Sequence, residues 1–179
     1  LYARILGVIL QTERLVLRPF READIDGYAE MGADPEVMRF LSADGRLLSR
    51  ADAWRQMAMF LGHWELRGYG TWAVEERATG AFVGRVGLHN PLGWPDRELG
   101  WTIARRFWGR GHASEAARAA ITHAFGALGW THLVSLIHPD NHRSTRLAER
   151  LGYHSQGTAE VAGLTLMMYR LDRSPAQGV

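Results

Sequence analysis

The chain has 179 residues, 46% of them hydrophobic and 22% charged, the size and composition of one soluble globular domain with a substantial core. It has no cysteine, which excludes disulfides, thiolate metal ligands and a cysteine acyl-enzyme, and fits a cytoplasmic protein. Twenty-one basic against 19 acidic residues leave a charge of +2, too balanced for an extended nucleic-acid-binding surface; lysine is absent and arginine supplies the cations.

The opening "LYARILGVIL" is apolar but too short to span a bilayer, and no small-residue cleavage site precedes the strand-like "RLVLRPF". Residues 1–11 therefore read as an extension or expression remnant that packs on the domain as a strand, and the start at Leu1 points to processing or engineering. Leu15 and Leu17 alternate with Val16 and Arg18 before Pro19, which predicts a first strand. Helical spacing follows through Ile25, Tyr28, Ala29 and Met31 and restarts at Asp34 and Pro35. Ser49 caps a longer helix with apolar positions at Ala53, Trp54, Met57, Phe60, Leu61 and Trp64, and Gly68 closes it.

From Gly70 the period changes. "GTWAVEE", "GAFVGRVGLHN" and "RELGWTIARR" are β-like runs separated by the turn-rich "RATG" and "PLGWPD", which predicts an antiparallel meander. Helix returns at His112, with Ala113, Ala117, Ala120, Ile121, Ala124 and Leu128 on one face until Gly129. "HLVSLIH" reads as a strand covered on both faces, followed by a helix over 142–151 and strands near 153–157 and 164–171. Nothing marks a linker or a repeat, so residues 12–172 form one domain and 173–179 a tail.

One stretch carries chemistry. In "RRFWGRGHASEAARAA", residues 105–120, arginines and two glycines lead straight from a strand into an alanine-rich helix. Glycine lets a ligand approach the backbone, and a helix start offers unpaired N–H groups with about half a positive charge, so the stretch reads as an anion site suited to a diphosphate. It is not a Walker loop, which needs a Gly-Lys pair followed by Ser or Thr. A Rossmann turn is also disfavoured, because Ser114 ends "GRGHAS" and no βαβ unit opens the chain. Taken alone, the GxG leaves open a helix start with glycine for geometry.

The second motif is "NHRSTRLAERLGY". With "RFWGRGHASEA" and the opening "TERLVLRPF", it makes residues 12–172 resemble the GNAT superfamily of acyl-CoA-dependent N-acetyltransferases, in particular the branch of ribosomal-protein N-terminal acetyltransferases. The resemblance implies an α/β (α+β) fold: a mixed, mostly antiparallel twisted sheet of six to seven strands, a V-shaped splay between the fourth and fifth, and about four helices. It implies acetyl-CoA as cosubstrate, with the pyrophosphate on Arg106, Gly109, Gly111 and the amides through His112 and Ala113. The pantetheine arm would pair with backbone at Ile103, Ala104 and Arg105 beside Asn141. Arg105, Arg110 and Arg143 would face the 3′-phosphate, and Ser144 would bond the cofactor near its sulfur.

Acyl transfer to an amine needs a base for the amine and a proton for the departing thiolate. Glu98, on the strand before the loop, is the candidate base, against the alternative of a surface glutamate paired with an arginine. Relatives often carry a tyrosine acid where this chain has Ala148, so Ser144 is the candidate acid, against the alternative of a helix-start serine bonded to backbone; Tyr153 suits core packing. His89 and Trp94 lie on the expected acceptor side, whereas His112 reads most plainly as a solvated helix-start residue. Trp72 and Trp101 fit sheet packing. His138 and His142 are separated by Pro139 and complete no metal site, so no metal is expected. The expected activity is acetyl transfer to a primary amine, either a protein N-terminus or one of the small amines that this scaffold acetylates in bacteria. The alternative is an acyl-CoA-binding module with weak catalysis. A homodimer is compatible with the family, and neither membrane nor nucleic acid is an expected partner.

Overall fold

The computed structural model describes residues 7–42 and 44–174. Most of the terminal segments expected at 1–11 and 173–179 lie outside the described residues. Eight strands form one sheet: β1 (Leu10–Gln11), β2 (Leu15–Arg18), β3 (Thr71–Glu76), β4 (Phe82–His89), β5 (Glu98–Ile103), β6 (His132–Ile137), β7 (His154–Val161) and β8 (Leu164–Asp172). Their order is β1-β2-β3-β4-β5-β6-β8-β7, and every neighbouring pair is antiparallel except β5 and β6. The helices are α1 (Ile25–Gly32), α2 (Pro35–Met38), α3 (Arg50–Arg67), α4 (His112–Phe125) and α5 (His142–Arg150). The fold is thus the mixed, mostly antiparallel α/β architecture expected. Its extra strand is the two-residue β1, and its extra helix is the single turn after Pro35.

Local chemistry sets the boundaries. Ser49 accepts from the Asp52 amide in a capping box, and Gly68 ends α3 at φ 73°. The buried face of α3 is Ala53, Met57, Phe60 and Trp64, whereas Trp54 and Leu61, expected inside, are 50% and 42% exposed. Each lies one residue past the i, i+4, i+7, i+11 row, about 100° round the helix, and so turns outward. Helix α4 ends at Phe125, and Leu128 packs on the core from the loop beyond it.

The sheet is covered on both faces. Ala116, Ala117, Ala120 and Ala124 of α4 are fully buried, so its backbone lies close over β4 and β5. Helices α1 and α3 cover β3 and β4 on the other face, where Phe20 stacks on Phe60 and Tyr28 stands edge-on to Phe20, Phe60 and Phe82. Buried Arg18 fixes that layer: its guanidinium bonds both oxygens of Asp24 at 2.7 and 2.8 Å and Glu75 at 2.7 Å, tying β2 and β3 to the turn that opens α1. No helix among the described residues is long and apolar enough to cross a membrane.

Candidate active site

The sheet opens between β5 and β6. These parallel strands meet at one pair, Glu98 opposite Val134, where the Val134 amide donates to the Arg97 carbonyl and the Ser135 hydroxyl to the Leu99 carbonyl. Beyond Leu99 no further pair joins them among the described residues. This is the V-shaped splay, which falls between the fourth and fifth strands when β1 is left out of the count. The Ala104 amide donates to Val83 on the β4 side, so by alternation the backbone of Trp101 and Ile103 faces the gap. The Ile103 carbonyl already accepts from the Trp108 indole at 2.7 Å, and Arg105 begins a 3-10 turn. The gap-facing edge therefore centres on Trp101 and the Ile103 amide, slightly earlier than the sequence placed it.

The loop after β5 makes a backbone cradle. Gly109 and Gly111 have φ of 75° and 81°, a region that glycine alone enters without strain, and a Cβ on Gly109 would meet open space. Gly111 is the N-cap of α4 without any side-chain cap, and the first intrahelical bond runs from the Glu115 amide to its carbonyl. The amides of His112, Ala113 and Ser114 therefore have no helical acceptor. Glu115, the one acid in this first turn, is held by Arg14 and by the Thr12 hydroxyl, which leaves the helix start electropositive.

The loop's side chains divide. Arg105 pairs with Asp34 and Arg106 with Glu30, so what these two offer the cradle is backbone. Arg110 lies over the Phe107 ring and Arg143 over the Trp108 ring at 4.4 Å; among the described residues neither makes an ion pair. The His112 side chain is 3% exposed, packed against Phe107 and 3.9 Å from Glu76, so it is not the solvated residue expected; burial and nearby Arg14 lower its pKa.

A cleft of about 250 Å³ runs through the splay and holds Glu98, His89, Trp94, Asn141 and Ser144 together. Glu98 is half-buried, and its carboxylate accepts from the Trp94 indole at 2.7 Å. Desolvation raises its pKa to about 6, although the Trp94 bond, the Leu136 amide and the charge of Arg85 pull the other way. It is not a surface glutamate paired with an arginine. His89 lies directly opposite Glu98 on β4, stacked on His63 and edge-on to Trp94. Burial, with His63 and Arg85, lowers its pKa to about 4, so it is neutral near pH 7.

Across the splay, Asn141 caps α5 by accepting from the Ser144 amide at 3.2 Å. The Ser144 hydroxyl accepts from the Trp101 indole at 3.2 Å, so Trp101 does more than pack on the sheet and the hydroxyl proton stays free to be donated. Ala148 is fully buried, and the Tyr153 hydroxyl is buried with its pKa raised by desolvation, which places it in the core. His138 stacks on Phe40 at the cleft rim, and no metal-binding cluster occurs among the described residues.

Sequence reasoning missed Arg85. It is half-buried on β4, lines the cleft, and has its guanidinium over Phe60 at 5.3 Å. A signal existed: an arginine inside "FVGRVGL", a strand buried on nearly every other position.

The acetyltransferase (GNAT) domain model matches residues 14–154. YkkB of Bacillus subtilis strain 168, a protein without an assigned activity, is 33% identical over 156 residues, covering 83% of this chain and 87% of its own. A solved acetyltransferase of Agrobacterium tumefaciens strain C58 superposes with a TM-score of 0.82 at 33% identity, covering 97% of this chain and 98% of its own. A ribosomal-protein-S5-alanine acetyltransferase of Vibrio fischeri shares the fold, with a TM-score of 0.74 and coverage of 94% and 98%, at 16% identity. The parted strands, the glycine-opened helix start and these matches agree: the chain belongs to the GNAT acetyltransferase family.

Proposed function

We propose that the protein transfers an acetyl group from acetyl-CoA to a primary amine by direct attack within a ternary complex. The observation that carries this reading is the meeting of Glu98 and Ser144 in one cleft, from the two sides of the splay. The site fits the cosubstrate: three amides without helical acceptors at an uncapped helix start suit the pyrophosphate, and the unpaired edge of β5 suits an amide-bearing arm. Arg110 and Arg143 are the cations left for the 3′-phosphate.

Acetyl-CoA supplies an acetyl group already activated as a thioester. Glu98, a carboxylate poised near neutral pH and aimed by Trp94, takes the proton from the attacking ammonium. The amine nitrogen bonds to the acetyl carbon as the carbon–sulfur bond breaks, and the nitrogen's second surplus proton passes to solvent, as does the one that Glu98 took. Ser144, held by Trp101, gives its proton to the leaving thiolate and recovers one from solvent. His89 and Trp94 wall the acceptor side. The likeness of the second motif to the ribosomal-protein branch supports a protein N-terminal amine as one acceptor class and small amines as the other.

Calorimetric titration with acetyl-CoA, CoA and ATP tests the cradle. We expect both CoA species to bind in preference to ATP and Gly109→Glu, which adds bulk and negative charge at an open position, to remove binding. Folded protein that ignores CoA overturns the transferase reading, and binding without turnover on any amine leaves an acyl-CoA-binding module.

A further inference from the structure

We infer that the acceptor amine carries an anionic group, a carboxylate in the first instance, which docks on Arg85 at the far end of the cleft floor from Glu98. This rests on the transferase reading and specifies its substrate class.

Arg85 is half-buried in the cleft, yet none of the ion pairs among the described residues involves it. Its Nε is out of contact with solvent and has no hydrogen-bond partner. Phe60 lies under the guanidinium and the neutral Tyr28 hydroxyl, which donates to Gln56 at 2.7 Å, lies against it, while the Glu98 carboxylate feels its charge across the floor without forming an ion pair with it. The same molecule shows what a guanidinium withdrawn from water requires when the protein alone must satisfy it: Arg18 has both oxygens of Asp24 and one of Glu75. Arg85 is less deeply withdrawn than Arg18, half-buried rather than buried, but among the described residues no carboxylate pairs with it, and its open side is the cleft. A ligand's anion is the partner that this arrangement lacks.

The register of β4 and β5 sets the span. Arg85 lies opposite Thr102, Gly87 opposite Gly100, and His89 opposite Glu98, so these six positions share one face of the sheet. The two central glycines leave the floor between the cation and the base without side chains. Four residues of strand cover about 13 Å between the Cα positions, most of it bridged by the arginine and glutamate side chains. What remains suits an amine and a carboxylate a few bonds apart. The same charge repels a polyamine or an aminoglycoside, whose additional ammonium groups would meet Arg85. Leu41 and Met59, 40% and 47% exposed, border the cleft and suit an apolar body on the acceptor.

The carboxylate can come from a free amino acid or from an acidic side chain near a peptide's N-terminus, and the test separates them. Release of CoA is followed at saturating acetyl-CoA with matched pairs: L-phenylalanine and L-methionine against their amides, and dipeptide amides with Asp or Glu against Asn or Gln at the second position. In at least one arm we expect kcat/KM for the acid to exceed that of its neutral partner by about tenfold or more. Arg85→Gln should erase that preference, chiefly through KM, without changing acetyl-CoA affinity. Preference among the amino acids assigns a small-molecule acceptor, and preference among the dipeptides assigns a peptide. Neutral partners used as well as the acids, no acid turned over by protein that binds acetyl-CoA, or a folded Arg85→Gln that keeps the preference each overturn the inference. The wild-type comparison stands even if that variant fails to fold. Absence of acetyl-CoA binding, by contrast, removes the transferase reading itself.

Discussion

Gly109, Gly111 and the amides that follow them meet the cleft as backbone, within a few residues of one another, whereas Arg85, His89 and Glu98 meet it as side chains set by strand register. The first half depends on two left-handed φ values and an uncapped helix start, features that a short peptide stretch specifies by itself. The second depends on β4 and β5 pairing so that His89 falls opposite Glu98; a slip of one residue between the strands would leave the two side chains on opposite faces. Cofactor recognition is therefore local in the sequence, while acceptor chemistry is a property of the assembled sheet, and damage to one half should spare the other.

The largest separation should come from Glu98→Gln. Loss of the base lowers kcat by about 10²-fold while acetyl-CoA affinity stays unchanged, the reverse of a substitution in the glycine loop. The pH profile sharpens the point. Glu98 works as the carboxylate, so with its pKa raised to about 6, wild-type kcat/KM rises as pH passes through that value, and the Gln variant lacks this rise on the same acceptor. A variant with wild-type turnover across pH removes Glu98 from the mechanism.

A smaller effect is expected at the floor. A Cβ on Gly100 meets only the Glu98 carboxyl, at 3.7 Å, whereas one on Gly87 would come within 2.3 Å of the Thr71 Cα. Gly87 is thus required by packing, and Gly100 keeps the cleft open. Gly100→Val should raise the acceptor KM by about tenfold and preserve or increase Tm, since valine suits a strand better than glycine. A drop in Tm with unchanged KM would make Gly100 structural and blur the contrast.

The difference in construction explains what the sequence disclosed. The meander, the caps at Ser49 and Gly68 and the RxxGxG loop follow from local patterns and were legible. Glu98 was legible as a position, but its bond to Trp94 and its raised pKa were not, because they arise where the 90–97 loop folds back over β5. Trp101 offered only its strand position, and the bond to Ser144 needed α5 to arrive across the splay. Arg85 was overlooked because one arginine in a strand says nothing of ion pairing until every other carboxylate has been placed. Trp54 and Leu61 failed for a different reason: hydrophobicity was read without the 100° step that separates them from the buried row.

The smallest effect tests whether the acceptor half carries a cost that the loop half does not. Desolvation raises the Glu98 pKa from 4.5 to about 6 in the folded protein, so the folded state holds this proton more tightly than the unfolded chain. The stability linked to the neutral acid is present below pH 4.5 and is lost as pH rises toward 6. The shift corresponds to about 2 kcal/mol, reduced to about 1 kcal/mol because the carboxylate keeps some contact with the open cleft. Glutamine carries no such penalty. Glu98→Gln should therefore raise Tm by about 2–4 °C at pH 7.5, a gain that shrinks to nothing by about pH 4, where both side chains are neutral. A lower Tm at pH 7.5 would mean that the Trp94 bond and the field of Arg85 outweigh desolvation. Glu98 would then be a structural carboxylate, and the side-chain half of the cleft would owe its form to packing rather than to proton transfer.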